Sequence, residues 1–322
     1  MLKLYSDYPS VKLSNKQLEA KVIFEKKLFL GEYKYHKSQC LCGEEGAIRI
    51  ANVDRYGLPW PQVICNKCGL VRSLYFLDEK STVDFYSTLY RSFYLGESSP
   101  TEDFFLNQVA RGEILYNIFN KTVPEHEGLS LLEVGCGAGG ILKKFQDNKM
   151  QVTGYDFDEN YLRFGRHKGL ELYYFHDFIK LNVKKFDIIL LSHVLEHFGS
   201  PVVEISKLSE LLKPKGYFIC EVPGLLNIHK AYHQPQMYFQ NAHTYSFSAS
   251  HMEHVFNNNG FKSLYLDEKV IGIFQKDTLG IRPSSIKKSF FTNYTYLIVV
   301  SVLWRLRLNP FYIYSKIREK LV

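Results

Sequence analysis

Between residues 129 and 276 the apolar positions fall in short runs separated by longer mixed stretches. Leu131-Leu-Glu-Val134 halts at a glycine cluster, Gly135-Cys-Gly-Ala-Gly-Gly140. Gln151–Asp156, Leu170–Phe175, Phe186–His193 and Tyr217–Val222 are further runs of strand length. The stretches between them are long enough for helices; one is predicted to begin near Val194. Leu212-Lys-Pro-Lys-Gly216 predicts a helix stop followed by a turn. Strands alternating with helices imply a parallel sheet. After Gly260-Phe261 the pattern changes: Ser263–Leu266 and Val270–Phe274 are separated only by polar Asp267-Glu268-Lys269, which predicts an antiparallel hairpin at the sheet edge.

The glycine cluster carries chemistry. Four glycines in six residues suit a tight turn into a helix whose backbone approaches a ligand, because a Cβ would block either one. Glu133 places an acid beside that loop, which suits a cationic ligand group. Asp156, at the end of the next predicted strand, can accept both hydroxyls of a ribose. Gly135, Gly137 and Gly140 with Asp156 also satisfy a dinucleotide-binding fingerprint, and a strand-turn-helix without ligand is the plainer alternative. The acid two residues before the first glycine favours the first reading. With it, residues 131–140 resemble the first motif of class I S-adenosylmethionine-dependent methyltransferases, and the resemblance extends over about residues 100 to 275. It implies an α/β fold with a doubly wound, seven-stranded Rossmann-like sheet closed by the hairpin. It also implies S-adenosylmethionine held by Glu133, Gly135, Cys136, Gly137, Gly139 and Asp156. Asp177, in His176-Asp177, would hold the adenine amino group, and His193 would lie beside the methionine portion.

His193, Glu196 and His197 stand at i, i+3 and i+4, so a helix would put them on one face. A sulfonium methyl group is already electrophilic; the protein has to hold the nucleophile in line and remove its proton. A neutral histidine suits a sugar hydroxyl. His197 is the first candidate for the base, oriented by Glu196, and His193 the second. H-x-x-E-H also resembles the E-x-x-E-H of metal-dependent O-methyltransferases acting on quinone precursors or RNA ribose. In those proteins a downstream histidine completes the site, and His243 lies where it would be expected. A catalytic divalent ion is the sharper alternative, not favoured because the first position is His rather than Glu. His229, Tyr232, His233 and Tyr238 read either as a lid over the acceptor or as a solvated loop.

Six cysteines divide into two kinds. Cys136 and Cys220 fall in the loop and in a buried strand, as small packing residues. Cys40-x-Cys42 and Cys65-x-x-Cys68-Gly69, twenty-two residues apart, have the spacing of a structural zinc site held by four thiolates. Four free thiols are the alternative. Asp54-Arg-Tyr-Gly57, Val63–Val71, Phe85-Tyr86 and Tyr90-Arg91 then resemble a group of bacterial methyltransferases with an N-terminal zinc-binding, ribbon-like module, commonly of surface-polysaccharide or sugar-modification pathways. Tyr86, Tyr90, Arg91 and Tyr94 could line an acceptor pocket, or simply pack between module and catalytic domain.

Composition fits a soluble enzyme of 322 residues, with 46% hydrophobic and 23% charged positions. Lys3, Asp7 and Lys12 interrupt the first apolar residues, so no signal peptide is expected and the cytoplasm is the default. From residue 282 onward eight basic residues face one acid, giving +7, the formal charge of the whole chain. Within that tail the uncharged Ser289–Trp304 is 16 residues long, short of the about 20 a membrane span needs. It suits a helix lying on an anionic leaflet, such as the inner membrane face, or equally a helix docked on the domain or in a homodimer interface. Nucleic-acid binding is not favoured, since the charge is confined to one tail. The expected organisation is an N-terminal extension (1–35), a zinc module with helical connector (36–100), a methyltransferase domain (101–281) and a basic amphipathic tail (282–322). The expected function is O-methylation of a sugar hydroxyl on a nucleotide sugar or cell-surface glycan. The alternatives are a quinone-type or other small-molecule O-methyltransferase, or a non-catalytic cofactor-binding scaffold in glycan assembly.

Overall fold

The computed structural model describes residues 8–96, 99–125, 127–181, 185–232, 234–277 and 286–308. His233, the expected boundary at 281/282, Arg282, and the tail residues Lys316, Arg318, Glu319 and Lys320 lie outside the described residues. The N-terminal part contains α1 (Asn15–Phe29), β1 (Tyr35–Lys37), β2 (Ala47–Ala51), β3 (Gln62–Cys65), β4 (Val71–Ser73), β5 (Tyr75–Leu77), α2 (Glu79–Thr88) and α3 (Tyr90–Leu95). There follow α4 (Glu102–Thr122), β6 (Ser130–Val134), α5 (Gly140–Asp147), β7 (Gln151–Asp156), α6 (Glu159–His167), β8 (Glu171–Tyr174) and α7 (Phe175–Phe178). The rest is β9 (Phe186–Ser192), α8 (Pro201–Ser209), β10 (Leu212–Glu221), α9 (Ile228–Ala231), β11 (Tyr245–Ser246), α10 (Ala249–Asn257), β12 (Phe261–Leu266), β13 (Ile271–Lys276) and α11 (Phe290–Arg305).

Seven strands form one sheet in the order β12-β13-β10-β9-β6-β7-β8. The five from β10 to β8 are parallel, and β13 runs antiparallel to both β10 and β12. This is the doubly wound sheet with closing hairpin that the apolar runs predict. The alternation along each strand explains the two layers. Leu131, Ile188 and Leu190 face α4 and α5 through Phe105, Leu115 and Ile141. Leu132, Ile189 and Leu191 face α8 and α10 through Ile205, Leu208, Met252 and Phe256. A strand covered on both faces has no room for a polar alternate, which is why β9 reads as a continuous apolar run. The strand order reverses beside β6, and the loops after β6 and β9 part there to leave a crevice, the usual ligand position of such sheets.

The structure departs from the sequence reading in three places. No α-helix starts at Val194: residues 195–197 make a single 3₁₀ turn, and α8 begins at Pro201. His193 adopts φ +55, which breaks the helical path immediately after β9. Leu212–Gly216 is not a stop and turn but the start of β10, whose pairing with β9 shifts register between Leu212 and Tyr217; Pro214 is tolerated at that irregularity because no ladder N–H is needed. His176 and Asp177 lie in the one-turn helix α7, not at a strand end. Of the alternatives for the tail, a docked helix is what the structure has: Phe290–Arg305 packs on the N-terminal part, burying Leu297 and Val300 against Ile50, Ile64, Val71 and Phe239.

The N-terminal strands are not closed on themselves. Their four-stranded sheet, β11-β4-β3-β2, is completed by a strand from the far part of the chain, with Tyr245 opposite Arg72 and Ser246 opposite Val71. Helix α1, started by a Ser14/Gln17 capping box, packs with α2, α3 and Trp60 in a separate aromatic core. Helices α2 and α3 thereby come to lie across the crevice of the large sheet.

Candidate active site

The glycine loop leaves β6 with Gly135, Gly137 and Gly139 all at positive φ. At Gly137 this freedom is required: a Cβ there would stand 3.3 Å from the Arg91 guanidinium and 3.4 Å from the Gln108 amide. The Gly137 N–H donates to Asp156 Oδ2 at 2.8 Å, so the end of β7 ties the loop down. Asp156 Oδ1 accepts from the Asp158 N–H at 2.9 Å. Glu133 is buried, with one carboxylate oxygen unpartnered among the described residues. Burial, and then the charge of Asp156, push its carboxyl well above the usual range. An orphaned acid beside a glycine-rich loop is a fit for S-adenosylmethionine, whose amino group would supply the missing counter-charge. Arg91, nearly buried in α3, stacks 4.2 Å over the Tyr161 ring and lies 3.8 Å from Asp156 and 3.7 Å from Asp158. It belongs with the cofactor loop rather than with an acceptor wall. Asp177 is exposed, 3.8 Å from Lys180, and no contact links it to the loop. Phe157 follows Asp156 and stacks against Tyr86, a ring pair that no sequence motif announces.

Beyond β9, Glu196 is the hub. Its Oε1 lies 3.2 Å from His193 Nδ1, 3.9 Å from His197 Nε2 and 3.8 Å from His243 Nε2, and its Oε2 has no partner among the described residues. The left-handed turn at His193, not a helical face, brings these groups together. His197 Nδ1 is 2.9 Å from the Ala242 carbonyl and 2.7 Å from the Tyr86 hydroxyl. A carbonyl only accepts, so the proton sits on Nδ1 and Nε2 keeps its lone pair. Burial holds His197 below its ordinary pKa against the opposing pull of Glu196. His243 is lowered further, by burial and by His197 beside it, and it is hydrogen-bonded to Gln240 at 2.5 Å. His193 is more exposed, and its Nε2 meets Arg111, which also binds Glu221 at 2.7 Å. Arg111 sits 82 residues before His193 with no motif around it, and only the packing of α4 on the sheet puts it there.

Near His197, Tyr56, Phe85, Tyr90, Phe93, Tyr94, Gln240, Asn241 and Ala242 pack together and leave no room for a water molecule between them. A hollow, lined by Glu44, Asn66, Lys67, Lys288, Phe290 and Phe291, shares no residue with the crevice. Of the expected lid residues, His229 hydrogen-bonds Tyr296 of α11 at 2.8 Å, and Tyr238 donates to the Pro223 carbonyl at 2.7 Å. These two hydrogen bonds tie the chain after β10 to α11 and to Pro223.

The four cysteine sulfurs converge: Cys40 is 3.4 Å from Cys42 and from Cys68, and Cys42 is 3.7 Å from Cys65. All four lie within 4.8 Å of one another. A tetrahedral zinc with bonds of about 2.3 Å needs sulfur separations of about 3.8 Å, so the cluster fits that ion. A thiol hydrogen bond from Cys68 holds Cys40 down to about 5, the thiolate character a metal ligand needs. Cys136 and Cys220 are buried and away from this centre, as packing residues.

Residues 108–266 match the family model described as a methyltransferase domain. Ubiquinone biosynthesis O-methyltransferase of Maricaulis maris is 31% identical over 102 residues, covering 29% of this chain and 40% of that protein. The same enzyme of Dinoroseobacter shibae is 31% identical over 107 residues, covering 31% of this chain and 43% of that protein. The chain thus spans less than half the length of these curated relatives. Among solved structures, an amino pentose methyltransferase from Micromonospora echinaspora aligns with TM-score 0.41 at 15% identity over 59% of this chain and 98% of that one. A magnesium protoporphyrin IX methyltransferase from Synechocystis aligns with TM-score 0.43 at 17% identity, over 61% and 98%.

Proposed function

We propose, for a chain whose residues 108–266 are a class I S-adenosylmethionine-dependent methyltransferase domain, that it methylates a hydroxyl oxygen of a small acceptor, a sugar hydroxyl of a nucleotide sugar or cell-surface glycan. The observation that carries this reading is the neutral His197, whose Nδ1 proton is fixed on Ala242 so that Nε2 is bare beside Glu196. Bound S-adenosylmethionine supplies a methyl group on a sulfonium, which needs no further activation. Gly135, Gly137 and Gly139 would hold it, with Glu133 and Arg91 answering the charges of its amino acid end. His197 Nε2 takes the acceptor proton, and the buried Glu196 carboxylate stabilises the resulting imidazolium. His193, second in line for that role, has its Nε2 turned to Arg111. Tyr90 and Tyr94 with Gln240 and Asn241 carry ring faces and amides of the kind that suit a sugar, and they would have to part to admit one, since they pack without a water-sized gap. The four cysteines are read as ligands of a structural zinc.

His197→Ala is expected to lose at least a hundredfold in turnover while binding S-adenosylhomocysteine as the parent does by calorimetry. Undiminished methyl transfer would remove His197 from the reaction.

A second reading has its own support. The relatives above act in ubiquinone biosynthesis, and Glu196, His197 and His243 present three ligand atoms within 4.8 Å of one another. A divalent ion there would bind a phenolic oxygen and lower its pKa. Activity abolished by a chelator and restored by one specific ion, on quinone-type phenols rather than nucleotide sugars, is its expected signature. Full activity on a sugar in excess chelator excludes it.

A further inference from the structure

Helix α11 has two apolar faces, and only one is covered. Leu297 and Val300 are buried, and the Asn293 side chain donates to the Gly69 carbonyl at 3.0 Å, fastening the helix to the loop of Cys65 and Cys68. On the opposite side stand Phe291, 82% exposed, Leu306, 61%, Val299, 47%, and Val302, 44%. At 3.6 residues per turn these four and Thr295 fall within an arc of roughly 80°, in a stripe about 22 Å long. A helix docked on a protein surface ordinarily turns a polar face outward; here the outward stripe holds no charge. The charges stand at its ends: Lys287 and Lys288 before it, Arg305 and Arg307 after it, with no acid anywhere in residues 286–308. Lys288 lines one hollow with Lys67, Phe290, Phe291 and Asn66, and Glu44 is its single acid. No described helix is long and apolar enough to cross a membrane.

We infer that this outward face of α11 docks on the surface of an anionic lipid bilayer. Phe291, Val302 and Leu306 enter the acyl boundary, and the lysines and arginines at both ends meet lipid phosphates. The charge pattern selects this occupant over a second copy of the chain. Whether two such helices pair parallel or antiparallel, basic ends fall on basic ends. The remaining sequence to residue 322 adds Lys316, Arg318 and Lys320 against one acid, Glu319, and so extends the same sign.

The test is co-sedimentation of the full chain with vesicles of phosphatidylcholine alone or mixed with phosphatidylglycerol. Binding is expected on the anionic vesicles, about tenfold or more weaker on the neutral ones, and falling with added salt. Phe291→Asp combined with Val302→Asp should abolish binding, and Lys287→Glu combined with Lys288→Glu should weaken it. Both variants should keep the parent Tm and affinity for S-adenosylhomocysteine, because all four side chains lie at the exposed surface. Absence of the parent from anionic vesicles overturns the proposal. So does a parent dimer that the aspartates dissociate without any vesicle binding, which would give the face to a second copy. Retained binding by the aspartate pair would also overturn it.

Discussion

Asp54 shows how much one buried side chain can govern. Its Oδ1 accepts from the Tyr56 and Leu58 N–H groups and its Oδ2 from Asn241, all at 2.9 Å, so it joins the N-terminal part to the segment that carries Ala242 and His243. Burial outweighs those three donors and raises its pKa to about 7. An unfolded aspartate titrates near 3.9. Between these values the native protein holds a proton that the unfolded chain has released, so stability falls as pH rises from about 4 to 7, by about 4 kcal/mol in all. Asp54→Asn removes that slope and sets an amide N–H against a backbone N–H, at a cost of about 1–3 kcal/mol. Urea midpoints at pH 5 and pH 8 should therefore differ less in the variant than in the parent; an unchanged difference would mean Asp54 is ionised throughout. The sequence marked the motif Asp54–Gly57 but gave no sign of its partner, because Asn241 is 187 residues away. By contrast the nearness of Glu133 to the glycines could be read along one strand-turn-helix, and that of Asp156 from its place at the end of the next strand.

At the scale of elements, the strands of the large sheet could be read because each is an apolar run of strand length. β11 could not: two residues carry no period, and they become a strand only because β4 leaves an edge to be paired. This short strand has mechanical consequences. Thr244 donates to the Glu196 carbonyl at 2.8 Å and Ser73 donates to the Thr244 carbonyl at 2.9 Å, so the cysteine-bearing sheet reaches the proposed catalytic carboxylate in two hydrogen bonds. If the four cysteines hold the proposed zinc, withdrawing it, or replacing Cys68 with Ser, is expected to lower Tm and cut turnover at least tenfold, because Ala242 and His243 lose their support. Affinity for S-adenosylhomocysteine, set by the loop after β6, should stay within a few-fold; calorimetry and a melting curve on the same sample check both. Gly69→Ala separates fold from metal. Its φ of +69 and a Cβ position 2.7 Å from the Ser289 carbonyl predict a loss of about 1–3 kcal/mol with α11 loosened, while zinc content stays at one ion per chain. The helix expected after β9 failed for a related reason: its residues have helical spacing, but the left-handed His193 ends any such path.

For the whole molecule, the consequence of the fold is that the cofactor crevice is built from two distant parts of the chain. The acids Glu133 and Asp156 come from the ends of β6 and β7 and Glu196 from the turn after β9, while Arg91, which lies against Asp156, comes from α3. Sequence alone left Arg91 either lining an acceptor pocket or packing between module and catalytic domain; only the way α3 lies across the sheet carries the guanidinium to Asp156. Cofactor binding must then also bind the two parts together. A ligand that prefers the folded state adds about 2.7 kcal/mol at a hundred times its Kd, so saturating S-adenosylhomocysteine should raise Tm. Arg91→Ala leaves Asp156 and Asp158 without their counter-charge and removes the cation available to a ligand carboxylate. It should weaken S-adenosylhomocysteine binding about tenfold and shrink the Tm shift in proportion, whereas Arg91→Lys, keeping the charge but not the planar stack on Tyr161, should fall between. If Arg91→Ala instead tightened binding, the arginine would be a plug that the cofactor displaces, and α3 would close the crevice against the ligand rather than upon it.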